Sequence, residues 1–151
     1  MAAEILRPAD IGDREAIERL VEAAYGAYVE RIGRRPAPMD ADYAALIDDG
    51  LVTVADRDGA VVGVIVLVPM GDHLLVENVA VDRAVQRAGL GWRLMAHAED
   101  EARARGLPGL RLYTNEHMVE NIAWYPRLGY RETERRAESG FARVFFEKRL
   151  D

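Results

Sequence analysis

Hydrophobic and polar positions alternate along this chain with two periods, and each change of period marks a new element. Ile17, Leu20, Val21, Ala24 and Tyr28 recur at helical spacing behind Asp10, a suitable N-cap, and predict a helix after a short edge strand at residues 4–7. Residues 32–39 hold two prolines and a glycine and read as a loop. Beyond it Asp40 is placed to cap a second short helix that buries Tyr43, Leu46 and Ile47. The period then drops to two. Residues 51–56 and 60–68 are β-branched runs joined by Arg57-Asp58-Gly59, a hairpin turn. The second run is apolar on both faces, as in the middle of a covered sheet. Residues 73–81 form a further strand whose apolar character is interrupted by Glu77 and Asn78.

The strongest helix spans 89–105, with Leu90, Leu94, Ala98 and Ala102 as its apolar stripe. Glu99 with Arg103 and Glu101 with Arg105 pair one turn apart on its wet side. Gly106-Leu107-Pro108-Gly109 ends it. A strand follows at 110–114, then a short helix at 118–128 with Pro126 near its end, then a closing hairpin of 130–136 and 141–149 around Glu138-Ser139-Gly140. The order β-α-α-β-β-β-α-β-α-β-β predicts a mixed α/β (α+β) central sheet with helices on both faces. The 89–105 helix should make a parallel crossover. With no repeat, low-complexity segment or Pro/Gly-rich linker, residues 1–151 read as a single domain.

Composition narrows the chemistry. Half of the residues are hydrophobic and 30% are charged, which supports a buried core and excludes a disordered chain. There is no cysteine, so disulfides, thiolate metal sites and a cysteine nucleophile are excluded. His73, His97 and His117 are scattered and read as surface or structural groups, so no metal is expected. Lys and Arg number 20 against 26 Asp and Glu; the net charge of −6 suits a cationic or neutral small substrate better than a nucleic-acid backbone. No stretch approaches the ~20 apolar residues of a membrane span. The first residues lack the apolar run of a signal peptide. The expectation is a soluble cytoplasmic protein with neither nucleic acid nor membrane as partner.

The most informative stretch runs from Val79 to Trp92. A strand leads through a short arm, Asp82 to Ala88, into Gly89-Leu90-Gly91 and the strongest helix. Glycines there let the backbone approach a ligand and turn consecutive N–H groups outward. The helix start adds about half a positive elementary charge. Together these make an anion cradle suited to a pyrophosphate. Two other phosphate loops do not match. A Walker loop needs Gly-Lys-Ser/Thr where this chain has Gly91-Trp92-Arg93. A dinucleotide fingerprint needs a third glycine where it has Leu94, and places its glycines after the first strand.

Gln86-x-x-Gly89-x-Gly91 after a Val-Ala-Val strand resembles the acetyl-coenzyme-A signature of the Gcn5-related N-acetyltransferases. The segment from Asn121 through Ala123, Trp124 and Tyr125 to Leu128-Gly129-Tyr130 resembles that family's Asn, Ala, Tyr and Leu-Gly-Tyr/Phe segment. Many members carry glycine where this chain has Arg87, and a proline near Arg83. The resemblance implies that the pantetheine arm of acetyl-CoA lies like an added strand between splayed parallel strands at 74–81 and 110–114. Backbone groups of Val79 and Val81 would bond its amides, and an N–H near Val79 would polarise the thioester carbonyl. Ala80, Gln86, Arg87, Ala88, Gly89, Leu90, Gly91, Trp92 and Asn121 would be further cofactor contacts. Tyr125 would protonate the departing sulfur, a modest task for a phenol of pKa about 10 facing a thiol of about 8.5. The alternative for Tyr125 is an aromatic packed under a helix.

A primary amine acceptor is mostly protonated at neutral pH and needs a base. Glu77 lies two residues before Val79, on the same strand face, and a carboxylate in an apolar run costs energy unless partnered. It is the candidate base; the alternative is an ion pair with an arginine at the sheet edge. Tyr25, Tyr28, Arg31, Arg34, Arg35, Tyr113 and Asn115 are candidates for the acceptor pocket. Arg34 and Arg35 either hold an anionic group of the acceptor or are simply solvated. Asp40 and Asp42 read as a helix cap and its first-turn charge, and Trp92 and Trp124 as core or cofactor-adjacent aromatics. The expectation is an acetyl-CoA-dependent N-acetyltransferase acting by direct attack of a primary amine on a small molecule or a protein. A non-catalytic acetyl-CoA-binding sensor or assembly module of the same fold is the alternative. Transfer of a longer acyl chain and homodimer formation stay open.

Overall fold

The structure is a computed structural model that describes residues 4–151, with the side chains of Arg87 and Ala88 left out. Its strands are β1 (Ile5–Pro8), β2 (Val52–Arg57), β3 (Ala60–Pro69), β4 (Leu74–Val81), β5 (Gly109–Asn115), β6 (Arg131–Glu138) and β7 (Phe141–Arg149). They form a mixed sheet in the order β1-β2-β3-β4-β5-β7-β6. The helices are α1 (Arg14–Tyr25), α2 (Tyr28–Ile32), α3 (Tyr43–Asp48), α4 (Leu90–Ala104) and α5 (Val119–Arg127), with 3-10 turns at Ile11–Asp13, Ala37–Asp40 and Arg83–Ala88. No helix among the described residues is long and apolar enough to cross a membrane. By packing, the chain divides into two compact units, residues 1–67 with 78–96 and residues 68–77 with 97–151.

In the first unit, β1 pairs antiparallel with β2 and β2 with β3, and the β2–β3 turn puts both Asp58 and Gly59 at positive φ. That is the hairpin geometry which Asp-Gly favours. Val62 and the run from Val64 to Leu67 are buried, as the doubly apolar pattern requires. Gly63 lets α4 come close: a Cβ there would meet Leu90 and Leu94 side chains at 3.1 and 3.2 Å. Leu90, Leu94, Ala98 and Ala102 are all buried, so the stripe read from the sequence is the helix's inner face.

The first helix differs from expectation. Val29 N–H bonds Gly26 O rather than the carbonyl four residues back, so the helix tightens after Tyr25 and restarts at Tyr28. Three helices therefore precede β2, and Tyr25 takes the buried place expected of Tyr28, which is half-buried. Asp10 does cap, but it caps the 3-10 turn, in a reciprocal box with Asp13. Asp42, not Asp40, caps α3, accepting from Ala45 N–H at 3.1 Å. Asp40 already sits inside a 3-10 turn and bonds Arg35 at 2.9 Å.

In the second unit the crossover is parallel, as its length requires: Leu74, Leu75 and Val76 of β4 pair with Leu110, Arg111 and Leu112. β7 runs antiparallel between β5 and β6. Through Ala137, β6 is exposed and heavily charged, which protects a sheet edge from pairing with another chain. Glu99 and Arg103 of α4 approach to 3.7 Å and Glu101 and Arg105 to 3.5 Å, the expected spacing, while Lys148 Nζ adds a 3.0 Å bond to Glu99.

Candidate active site

Three features of the first unit build a backbone-lined turn after β4. The strand ends at Val81, and Asp82 N–H bonds back to Val62 O at 2.8 Å. The Asp82 carboxylate then accepts from Ala84 N–H at 2.9 Å and starts the 3-10 turn, while Gln86 Nε2 reaches back to Val81 O at 3.3 Å. The turn closes at Gly89 with φ 79° and ψ 12°, a conformation that L side chains rarely adopt. A Cβ on Gly89 would meet nothing within 4 Å, so the glycine answers the chain's direction while leaving open space on that side. The chain enters α4 at Leu90, where the first amides of any α-helix lack an intrahelical carbonyl. Leu90 is buried, Gly91 is half-buried, and Trp92 is 52% exposed, which removes the core reading for Trp92. The side chains expected of Arg87 and Ala88 at the cofactor lie outside the described residues. Beside Val81, Asp82 and Arg83, a recess of about 470 Å³ is walled by Ala16, Leu20 and Ala23 of α1.

Upstream on β4, burial alternates: Asn78 and Ala80 are buried, while Val79 and Val81 are half-buried. Asn78 is held at both ends of its amide. Its Oδ1 accepts from Tyr25 Oη at 2.6 Å and its Nδ2 donates to Tyr43 Oη at 2.9 Å. Tyr25 Oη also lies 3.0 Å from Val79 O. Among the other acceptor candidates, the Arg31 guanidinium lies over the Tyr28 ring at 5.1 Å. Arg34 is exposed, and Arg35 is engaged by Glu22 and Asp40 within the chain. Its charge is therefore balanced internally, which favours a structural part for it.

The second unit brings a different set together. Tyr113 Oη donates to Glu77 Oε1 at 3.4 Å. Among the described residues Glu77 is engaged by a phenol and not by the edge arginine considered as its alternative. The Arg143 guanidinium lies 4.3 Å from the Tyr113 ring centre and bonds Glu138 at 2.6 Å, although Arg143 itself is only 9% exposed. Burial, then the Glu77 charge, raises the Tyr113 hydroxyl above the ordinary phenol range, so it stays a donor at neutral pH. Tyr125 is 5% exposed, with ring centres of Trp124, Phe146 and Tyr130 at 5.3, 5.6 and 6.1 Å. It is therefore a packed aromatic, whatever else its hydroxyl does, and Trp124 is half-buried against it. Asn121 Nδ2 donates to Thr114 Oγ1 at 3.3 Å. Asn115 is buried and its Oδ1 caps the following turn through His117 N–H at 2.9 Å. Among the described residues no cluster of three or more His, Asp or Glu side chains is placed to hold a metal ion.

Asn78 and Arg143 are buried polar side chains that the sequence reading gave no role. Asn78 carried a signal, since it falls on the buried phase of β4. Arg143 carried none, because its neighbours come from the β5–β7 pairing that puts Asn115 opposite Arg143.

The chain has relatives. Over 84 residues it is 34% identical to the probable N-acetyltransferase 14 of Xenopus tropicalis, a match covering 54% of this chain and 40% of that protein. Over 79 residues it is 37% identical to the IAA acetyltransferase of Azospirillum brasilense, covering 51% and 52%. The chain thus matches about half or less of the length of these curated relatives. The crystal structure of the PaiA N-acetyltransferase from Thermoplasma acidophilum in complex with coenzyme A shares the fold, with a TM-score of 0.79, 14% identity, and coverage of 98% of this chain and 99% of that one. The model of the acetyltransferase (GNAT) family matches residues 15–130, most of the chain, and the chain belongs to that family.

Proposed function

We propose that residues 1–151 work as one acetyl-CoA-dependent N-acetyltransferase domain, moving an acetyl group from the thioester to a primary amine of a small molecule or protein. The observation that carries this reading is the β4–Gly89–α4 turn, where a left-handed glycine with open space beside it leads directly into the start of α4. A helix start with that space beside it fits a diphosphate by charge and by clearance. The half-buried backbone positions Val79 and Val81 are suited to bond the cofactor's amides as an added strand would, and the N–H at Val79 to hold the developing oxyanion. The free amine attacks the thioester carbonyl, the new C–N bond forms and the C–S bond breaks. Glu77 takes the proton the amine must shed, and Tyr125 returns one to the thiolate.

Supporting the base assignment, Glu77 sits on the half-buried phase of β4, the same phase as Val79, and its Oε1 accepts from the Tyr113 hydroxyl. The burial of Tyr125 favours the second reading, a binding module in which that ring only packs. One assay separates them. Mixing the protein with acetyl-CoA and a panel of primary amines, small and peptidic, should release free thiol with at least one member. Coenzyme A binding without release across the panel, unchanged by Tyr125→Phe, would establish the binding module instead.

A further inference from the structure

Asn78 is a polar side chain on the buried phase of β4, and its hydrogen bonds reach further than its own strand. Tyr43 Oη, which accepts from Asn78 Nδ2 at 2.9 Å, donates in turn to Pro38 O at 2.6 Å. On the other side Tyr25 Oη touches both Asn78 Oδ1 and Val79 O. A continuous chain of bonds therefore runs from the Ala37–Asp40 turn ahead of α3 to the carbonyl of Val79 on β4. Its links are short side chains or rigid rings, so little slack separates its ends. Tyr25 has a single hydroxyl proton for two acceptors at 2.6 and 3.0 Å. An N–H donor arriving at Val79 O satisfies that carbonyl and biases the Tyr25 proton towards Asn78.

We propose that Asn78 is a positioning residue, linking the segment 37–42 to the Val79 backbone so that occupancy at Val79 is felt in that segment. The inference rests on the reading that acetyl-CoA binds along β4. Residues 37–39 lie in the 32–39 loop that also carries Arg34 and Arg35, read from the sequence as acceptor-pocket candidates, so the link would let a bound cofactor order the acceptor side.

The test uses ¹H–¹⁵N spectra of the full chain titrated with coenzyme A as the probe. In the parent protein the amide signals of Val79 and Ala80 should move, and those of Met39, Ala41 and Asp42 should move with them. In Asn78→Ala the β4 signals should still respond while the 39–42 shifts fall at least threefold. Tyr43→Phe keeps the ring and removes only the hydroxyl; it should give the same loss, which protects the test against an Asn78 variant that fails to fold. Shifts at 39–42 that persist in both variants overturn the link and leave the acetyl-CoA reading standing. If coenzyme A moves neither Val79 nor Ala80 in the parent protein, the cofactor reading falls and this inference falls with it.

Discussion

Between Val81 and Gly91 the candidate chemistry is carried by main-chain groups, whereas around Tyr113 it is carried by side chains. The first region needs a chain direction that only Gly89 allows comfortably and a helix that begins at Leu90. The second needs Glu77 from β4, Tyr113 from β5 and Arg143 from β7, which meet because β5 lies between β4 and β7 in the sheet. A main-chain site is written in consecutive residues and tolerates varied side chains along it. A side-chain site is scattered through the sequence, and each member depends on its neighbours for charge and orientation. The two should therefore fail differently.

The largest effect is expected in the main-chain region. Gly91→Glu places a carboxylate in the first turn of α4, where the proposed diphosphate would lie. Coenzyme A affinity should fall at least about 100-fold, near 2.7 kcal/mol by titration calorimetry, with the thermal midpoint little changed. Gly91 is the cleaner position, since any side chain at Gly89 also strains a positive φ. An unchanged affinity would remove the diphosphate from this turn and with it the contrast.

For the side-chain groups, Tyr125 as well as Glu77, the cofactor should stay bound while turnover falls. Tyr125→Phe keeps the ring among Trp124, Tyr130 and Phe146 and deletes only the hydroxyl. Turnover should drop about 100-fold, the scale of a lost general acid, with coenzyme A affinity unaltered. Equal loss of both would mean the hydroxyl serves structure. Glu77→Gln should cost about tenfold near neutral pH, and the deficit should shrink as pH rises and the amine arrives already deprotonated. A pH-independent deficit would take the base role from Glu77.

The same contrast governs what could be read from sequence. Elements were legible because their signals are local. The α4 stripe, the Asp58-Gly59 turn and the parallel crossover each follow from residues near one another. The break after Tyr25 was not legible, because Gly26 stays helical in φ and ψ and only the hydrogen-bond pattern changes there. The choice of Asp42 over Asp40 as cap depended on the Ala37–Asp40 turn engaging the earlier aspartate. For the candidate site, Val79 to Gly91 was marked by its glycines and helix start. The Tyr25–Asn78–Tyr43 bonds and the Arg143 contact join positions tens of residues apart, and only folding brings those together.

A smaller effect sharpens the main-chain side. Gly63→Ala adds a methyl 3.1–3.3 Å from Leu90, Leu94 and Ala55 side chains, so α4 must give by a few tenths of an ångström. Stability should fall by about 2 kcal/mol, and coenzyme A affinity by a few-fold because the helix start moves with the helix. A stability loss with no change in affinity would show that the turn holds its shape independently of α4 packing.

The smallest effect concerns the scaffold behind that turn. Arg7 donates to both carboxylate oxygens of Asp13, at 2.8 and 2.9 Å, and to Asp56 at 3.1 Å. The Arg7 bonds chiefly, and Asp10 N–H in addition, hold the Asp13 carboxyl below the ordinary carboxylate range against the opposing effect of burial. A depressed native pKa stabilises the fold at pH above the unfolded value of about 3.9, and that contribution is lost as pH falls through the native value. Arg7→Gln should therefore lower stability by about 1 kcal/mol at pH 7, a modest figure because the pair is partly screened by solvent. The gap between variant and parent should close as pH falls below the unfolded value of about 3.9 and then through the lower native value, where the unfolded and then the native carboxyl take up protons. Urea midpoints measured from pH 7 down to 2 would follow it. A gap that persists at pH 2 would mean that Arg7 stabilises α1 mainly by packing its aliphatic stem, and the charge link from β1 to the start of α1 would carry little of the scaffold's strength.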